Sequence, residues 1–303
     1  DEQFNFVDLH LGPALQSGGH QQVKIIGFDH NCDNLSFPIQ VAQSQYVDGS
    51  AFHLYAGDIS AMTTVKEATG KNVYFTEQWT QIPSSSHPAD VIEAFNQDFG
   101  WHMENVVIGS IRNWSKTVFE WNLATSASAG EGGCVDCMGA IDVLGNNQII
   151  RNVSYYIISQ LSEVLTPGAV RIDSGALQGD VSHVAFKNPD DSLVLLAYNR
   201  NSHTSENVSI VWQDQALDYS IAPRTAVSFV WSPTSTPDKP GLNCQQVNVY
   251  PNWMRKDWHG GDPTHNATDD KMVFDGTLYR ANWYSNSVPG SDASWTYIGA
   301  CAN

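Results

Sequence analysis

The sequence predicts an α/β fold: half of a (β/α)8 barrel, then a small antiparallel β domain, then an aromatic-dense terminal module. Three observations predict it. Strand-like and helix-period stretches alternate four times over residues 1–165. The hydrophobic period drops to two between 166 and 232. Residues 243–303 are rich in aromatics, Gly and Asn and short of aliphatic side chains. A closed barrel takes eight strand–helix units and about 250 residues, so four units correspond to half of one. An open doubly wound sheet is the alternative, but it leaves unexplained an opening helix with no strand before it.

The elements follow in order. Phe4, Val7, Leu11, Ala14 and Leu15 make a helical stripe ended by Ser17-Gly18-Gly19. Val23 to Phe28 is a short buried strand followed by polar Asp29-His30-Asn31, and Gly49 to Tyr55 is a second strand. Asp58 opens a helix that Gly70 closes, and Val73 to Phe75 is the third strand. Pro88, tolerated in a first helical turn, starts a helix running through Val91, Ile92, Phe95 and Phe99. Thr117 to Asn122 is the fourth strand. Ile150, Val153, Ile157, Leu161 and Val164 form the next helix, which Pro167 stops. Strands around 184–186, 193–198, 208–212 and 226–231 build the β domain, with turns such as Asn188-Pro189-Asp190-Asp191 between them. The run SPTSTPDKPG from Ser232 to Gly241 is a semi-stiff linker. The expected divisions are 1–165, 166–232, 233–242 and 243–303.

A carboxylate, an amide and an indole close the apolar run VYFTEQW at Glu77, Gln78 and Trp79. The carboxyl end of a parallel strand is where a barrel displays its chemistry, and aromatic rings there suit the face of a sugar. Other strands end on His53 and Tyr55, on Asp29 and His30, and on Glu120-Trp121-Asn122. His53 and Tyr55 are two apart and so share one face of their strand. Taken singly, a His is more often a hydrogen-bonded core residue and a Tyr more often packing. Their coincidence at matching strand ends favours a carbohydrate-active site. Glycoside hydrolysis uses two carboxyl groups about 5–5.5 Å apart in retaining enzymes. Glu77 has the surroundings of the nucleophile. Glu120 is a candidate second carboxylate whose direction alternation with Phe119 and Trp121 leaves open.

The chain has 303 residues and a net charge of −17, which argues against nucleic acid or an anionic membrane as partner. No apolar run is long enough to cross a bilayer. Asp1, with no initiating Met and no apolar leader, reads as the start of a processed or trimmed chain. Cys134 and Cys137 sit in a Gly-rich loop, where a bridge is favoured over zinc, which would want a second pair or nearby His. Cys244 and Cys301 bracket the last module as a terminal staple, leaving Cys32 odd. Bridges imply an oxidising, extracellular compartment. No metal or other cofactor is expected. Asn34, Asn113, Asn152, Asn207 and Asn266 stand in N-glycosylation patterns.

The pieces FNFVDLHLGPAL, KIIGFDHNCDN, YVDGSAFHLYAG, NVYFTEQW, RNWSKTVFEWNLA, GGCVDCMGA and NVSYYIISQLSEVLTPGAVRI resemble glycoside hydrolase family 30 from Phe4 to Trp231. They match the carboxyl-terminal half of its catalytic region and stand closest to the endo-β-1,6-glucanase branch rather than to the glucosylceramidases. The resemblance implies a retaining double displacement with Glu77 as nucleophile. His53, Tyr55, Trp121 and Asn122 would line the sugar site, with Trp79 beside it and Asp29 and His30 nearby. In that family the acid/base Glu follows an Asn at an earlier strand end. No such pair occurs here: Glu2 precedes a helix and Asn105 follows Glu104 within one. The expectation is that the acid/base and half the barrel lie outside this chain, supplied by a separate amino-terminal half or lost by truncation.

Cys244 to Cys301, through VYPNW, KDWHGGDPTHN, GTLYRANWY and VPGSDASWTYIGAC, resembles a family 5 carbohydrate-binding module of small all-β fold. The resemblance implies a row of exposed rings, Trp258, Trp283 and Tyr284, for insoluble cellulose or chitin, with Trp253 and Trp295 in the core. The combined expectation is a secreted β-glucanase acting on a β-glucan. A polysaccharide-binding fragment without turnover and a glucosylceramidase-type β-glucosidase are the alternatives.

Overall fold

The computed structural model describes residues 2–301 apart from 84–85, 127–133, 135–136, 145–147, 178, 214 and 233–241. The expected linker therefore lies outside the described residues except at its edges. The chain forms two compact units, Asp1–Pro233 and Thr234–Asn303.

In the first unit, contiguous helical segments Glu2–Phe6, Val7–Leu11 and Gly12–Ser17 lead in, the middle one of π pitch. Four parallel strands follow in chain order across one sheet: β1 (Ile25–Cys32), β2 (Val47–Gly57), β3 (Asn72–Glu77) and the Ser115–Val118 strand. Such pairing needs crossovers. The short helix Ser36–Val41, the Ala61–Thr69 helix and the long helical run beginning at Pro88 provide them. Gly70 ends the second crossover with φ of 68°, a left-handed cap that glycine takes at no steric cost.

Phe52, Phe75, Met62, Val65, Val73 and Val106 are fully enclosed between sheet and helices. The run His102–Gly109 also turns Met103, Val107 and Ile108 the other way, onto Val184, Phe186, Val194, Leu196 and Tyr198 of an antiparallel sheet. That sheet orders Val170–Ile172, Val181–Lys187, Leu193–Asn199 and Ala226–Trp231. Its opposite face, through Val181, Ala197, Val227 and Phe229, packs on Ile221 and Val208 of the hairpin formed by Glu206–Trp212 and Gln215–Ile221. Alternate residues of the sheet thus serve two cores, as a period of two dictates.

Several expectations need correction. Ile150 belongs to the strand Gln148–Arg151, and the helix is Val153–Ser162. The fourth parallel strand stops at Val118, so Glu120, Trp121 and Asn122 lie beyond it. The strands Ala124–Ser126, Ile141–Leu144 and Gln215–Ile221 had no clear signal: the first two are only three and four residues long, and the third is exposed at six of its seven positions. Asn152 and Asn266 are buried: Asn152 Nδ2 donates to Gly139 O (2.9 Å), and Asn266 Oδ1 accepts from Met254 N (3.1 Å). Neither can carry a glycan in this fold.

In the second unit, Lys271–Phe274, Thr277–Ala281 and Trp295–Ala300 form an antiparallel sheet. Met272, Ala281 and Trp295 are its core, with Tyr250, Trp253 and Tyr279 packed around them. Disulfides join Cys244 to Cys301 and Cys134 to Cys137, and Cys32 is free and buried. Burial, then the charges of Asp58 and Asp33, push the Cys32 thiol up to about 12, which leaves it unreactive.

Candidate active site

The parallel register places Asn31, His53 and Glu77 in one row across the carboxyl ends of β1, β2 and β3. One row further on, Trp79 and Trp121 pair through their backbones, and Trp121 N donates to Gln78 O (2.7 Å). A register shift at Asp29, where both Phe28 (φ 73°) and Asp29 (φ 56°) are left-handed, bulges β1 and re-aims the Asp29 carboxylate.

Five side chains meet there. The Tyr55 hydroxyl donates to Glu77 Oε1 (3.1 Å). His53 Nδ1 lies 3.8 Å from the same oxygen, and its Nε2 donates to Asp29 Oδ1 (3.0 Å). Thr76 Oγ1 donates to that Asp29 oxygen as well (2.8 Å). The His53 imidazole is thus fixed between two carboxylates, with Tyr55 edge-on to it. Glu77 keeps 31% of its side-chain surface open, so it is held yet reachable. Burial, then the charge and hydrogen bond of Glu77, and finally Glu120, raise the Tyr55 phenol above its ordinary range. It remains a hydrogen-bond donor at any working pH.

Glu120 takes a different position. Its side chain is 3% exposed, His102 Nδ1 lies 2.8 Å from Oε1, and Oε2 is buried without a partner. Burial raises its pKa, against the opposing hydrogen bond and charge of His102. A carboxylate so enclosed cannot protonate a leaving group beside Glu77. Asn122 does not join the Glu77 cluster either. Its Oδ1 is buried without a partner, and a Cβ at Gly139 would come within 2.9 Å of it. With Glu120, Asn122 lines a separate cleft of about 390 Å³ against the Val153–Ser162 helix. His30 is exposed and packs towards Phe28 at 6.1 Å between ring centroids. Trp121 is exposed beside the cluster.

Sequence reasoning passed over Thr76, Asn31 and Gln78. Asn31 Oδ1 accepts from Tyr55 N (3.1 Å) and Gln78 Oε1 from Leu54 N (3.3 Å), so both hold β2 in place. Their position next to strand-end candidates was the available signal. Among the described residues no group of three or more His, Cys, Asp or Glu could hold a metal ion.

In the second unit the three expected rings are exposed: Trp258 at 96%, Trp283 at 52% and Tyr284 at 55%. Trp295 is buried in the core, and Trp253, half-buried, packs against it.

Residues 168–229 match the glycosyl hydrolase family 30 beta sandwich domain, and residues 241–302 match a cellulose-binding domain. The chain thus carries a stretch similar to the family 30 beta sandwich domain and a stretch similar to a cellulose-binding domain. It is 30% identical over 213 residues to the endo-1,6-beta-D-glucanase of Aspergillus fumigatus, covering 65% of this chain and 40% of that one. A solved endo-β1,6-glucanase structure aligns at TM-score 0.67 and 32% identity over 76% of this chain and 53% of that one. Endoglucanase Z of Dickeya dadantii is 55% identical over 69 residues, 23% of this chain and 16% of the enzyme. The chain therefore spans about half or less of the relatives it matches. Among the described residues no helix is long and apolar enough to cross a membrane.

Proposed function

We propose that this chain is the nucleophile-bearing part of a secreted, retaining β-glucanase, most concretely an endo-β-1,6-glucanase, delivered to insoluble cellulose or chitin by its second unit. The observation that carries the reading is Glu77: a half-open carboxylate at a parallel strand end, held by Tyr55 and His53. Glu77 would attack the anomeric carbon, forming a glycosyl ester as the glycosidic C–O bond breaks. Asp29, through His53, orients the nucleophile from behind. Trp79 and Trp121 would offer faces to neighbouring sugars. The names of the 1,6-glucanase relatives support the linkage.

The four-stranded parallel sheet is read as half of an eight-stranded barrel. Thr76 on β3 bonds Asp29 on β1 with β2 between them. Strands two places apart in a flat sheet are separated by about 9.5 Å, too far for two such short side chains, so the sheet curves around a common axis. β1 and the Ser115–Val118 strand each have one strand neighbour among the described residues, and Ile26, Phe119 and Leu123 stand exposed nearby. With Glu120 enclosed, the proton donor is assigned to barrel strands outside this chain.

This division of labour sets the test. A glucosyl fluoride bearing fluorine at C2 needs no proton donor to release fluoride, so it reports on the nucleophile separately. Mass spectrometry of the treated chain should place the adduct on the peptide containing Glu77, and Glu77→Gln should carry none. An adduct elsewhere, or equal labelling of the variant, rejects the assignment. Hydrolysis of β-1,6-glucan by this chain alone should be negligible, which is the behaviour of the second reading, a polysaccharide-binding fragment. Supplying the other barrel half separates the two. A glucolipid substrate of glucosylceramidase type is distinguished by product analysis against β-1,6-oligosaccharides.

A further inference from the structure

The three exposed rings of the second unit are held in unequal ways. Trp258 stands almost free of the protein surface, at 96% exposure. Tyr284 has one face covered, because the His265 imidazole stacks on it with centroids 4.4 Å apart and planes 29° apart. His265 is itself 13% exposed. Its Nδ1 lies 3.5 Å from Oδ1 of Asp257, the residue immediately before Trp258, and 3.2 Å from the Thr264 hydroxyl. The backbone around it is anchored on both sides. Arg255 N donates to His265 O (2.9 Å), and Asn266 pairs with Ser285, the neighbour of Tyr284. Arg255 is fastened in turn by two hydrogen bonds to Asp270 (2.8 and 2.6 Å).

One imidazole therefore touches both segments that carry the rings. A flat polymer surface is met best by rings fixed beforehand, since each ring immobilised only on contact subtracts ordering entropy from the affinity. We propose that His265 is the positioning residue of this face: it backs Tyr284 through stacking and, through Asp257, restrains the segment bearing Trp258. The inference rests on the reading of the second unit as a cellulose binder and names what presets its rings.

The test is adsorption of the full chain to microcrystalline cellulose, read as isotherms, with thermal unfolding recorded for every variant. Tyr284→Ala and Trp283→Ala should each weaken adsorption by about tenfold or more. His265→Ala should weaken it about three- to tenfold at unchanged capacity, and Asp257→Asn about twofold. His265→Phe, which keeps a ring under Tyr284, should restore most of the loss. Should His265→Ala adsorb like the parent while Tyr284→Ala is impaired, the positioning role is overturned and the ring platform stands. If His265→Phe regains the melting temperature but not the affinity, the role is overturned too. Were all the ring variants to adsorb normally, the cellulose-binding reading of this face would fall, and the inference with it.

Discussion

Glu77 and Glu120 invite comparison, because each stands at or just past the end of a parallel strand, precedes a Trp by one or two residues and has a histidine beside it. Their surroundings diverge completely. Glu77 receives a phenolic hydrogen bond, has an imidazole edge 3.8 Å away and remains 31% open. Glu120 is enclosed at 3% exposure against His102, with Asp98 adding negative charge nearby and one oxygen unpartnered. The first is held yet open to solvent. The second is held by burial. What a carboxylate can do is set by desolvation and partners rather than by the short sequence around it.

The largest expected effect breaks this contrast most directly. Glu120 and His102 share a 2.8 Å hydrogen bond away from solvent, and leaving a buried partner unsatisfied costs about 1–3 kcal/mol. Glu120→Ala should therefore lower unfolding stability by about that amount. Glu77→Gln, at a half-open position, should stay within about 0.5 kcal/mol of the parent. Urea denaturation of the two variants decides it. Equal losses would mean that Glu77 is structural as well. A smaller effect on stability concerns Tyr55. Tyr55→Phe removes the 3.1 Å hydrogen bond while keeping the ring against His53. A hydrogen bond to a charged group contributes about 1.5–3 kcal/mol, so labelling of Glu77 should slow by about tenfold or more with little change in stability. Labelling at the parent rate would leave Glu77 oriented by His53 alone.

Much of the Glu77 cluster was legible because period-two alternation and strand ends survive in the sequence. His53 and Tyr55 had to share a face, and the register then put His53 opposite Glu77. The Cys134–Cys137 pairing and the helix start at Pro88 were legible for similarly local reasons. The direction of Glu120 was not. Alternation lapses once the strand stops at Val118, and His102, which captures the carboxylate, is 18 residues earlier on a helix. The Asp29 bulge was hidden as well, since an Asp in a left-handed conformation looks in sequence like any polar strand end. Ile150 was drawn into a helix because one residue fits a helical stripe as easily as a four-residue strand. Long-range capture and strand termination are tertiary events, and the residues they govern are those that sequence placed wrongly or left open.

The smallest effect, a slope with pH, sharpens the comparison furthest. Burial raises the Glu120 carboxyl, and that of its neighbour Asp98, above their unfolded values. The folded state therefore favours the protonated form. The associated stability is fully present below the unfolded pKa and is lost as pH rises through the higher folded value. The unfolding free energy should accordingly fall from pH 4.5 towards neutrality. The net charge of −17 acts in the same direction, because self-repulsion grows as pH leaves the isoelectric region near 4.7. The difference between parent and Glu120→Gln isolates the local part, since an amide of the same shape has no proton to lose. The variant should be relatively less stable at acid pH and recover ground towards neutrality. Parallel pH profiles would mean that Glu120 titrates alike in the folded and unfolded chains. Its enclosure would then carry no electrostatic consequence, and the contrast with Glu77 would reduce to accessibility alone.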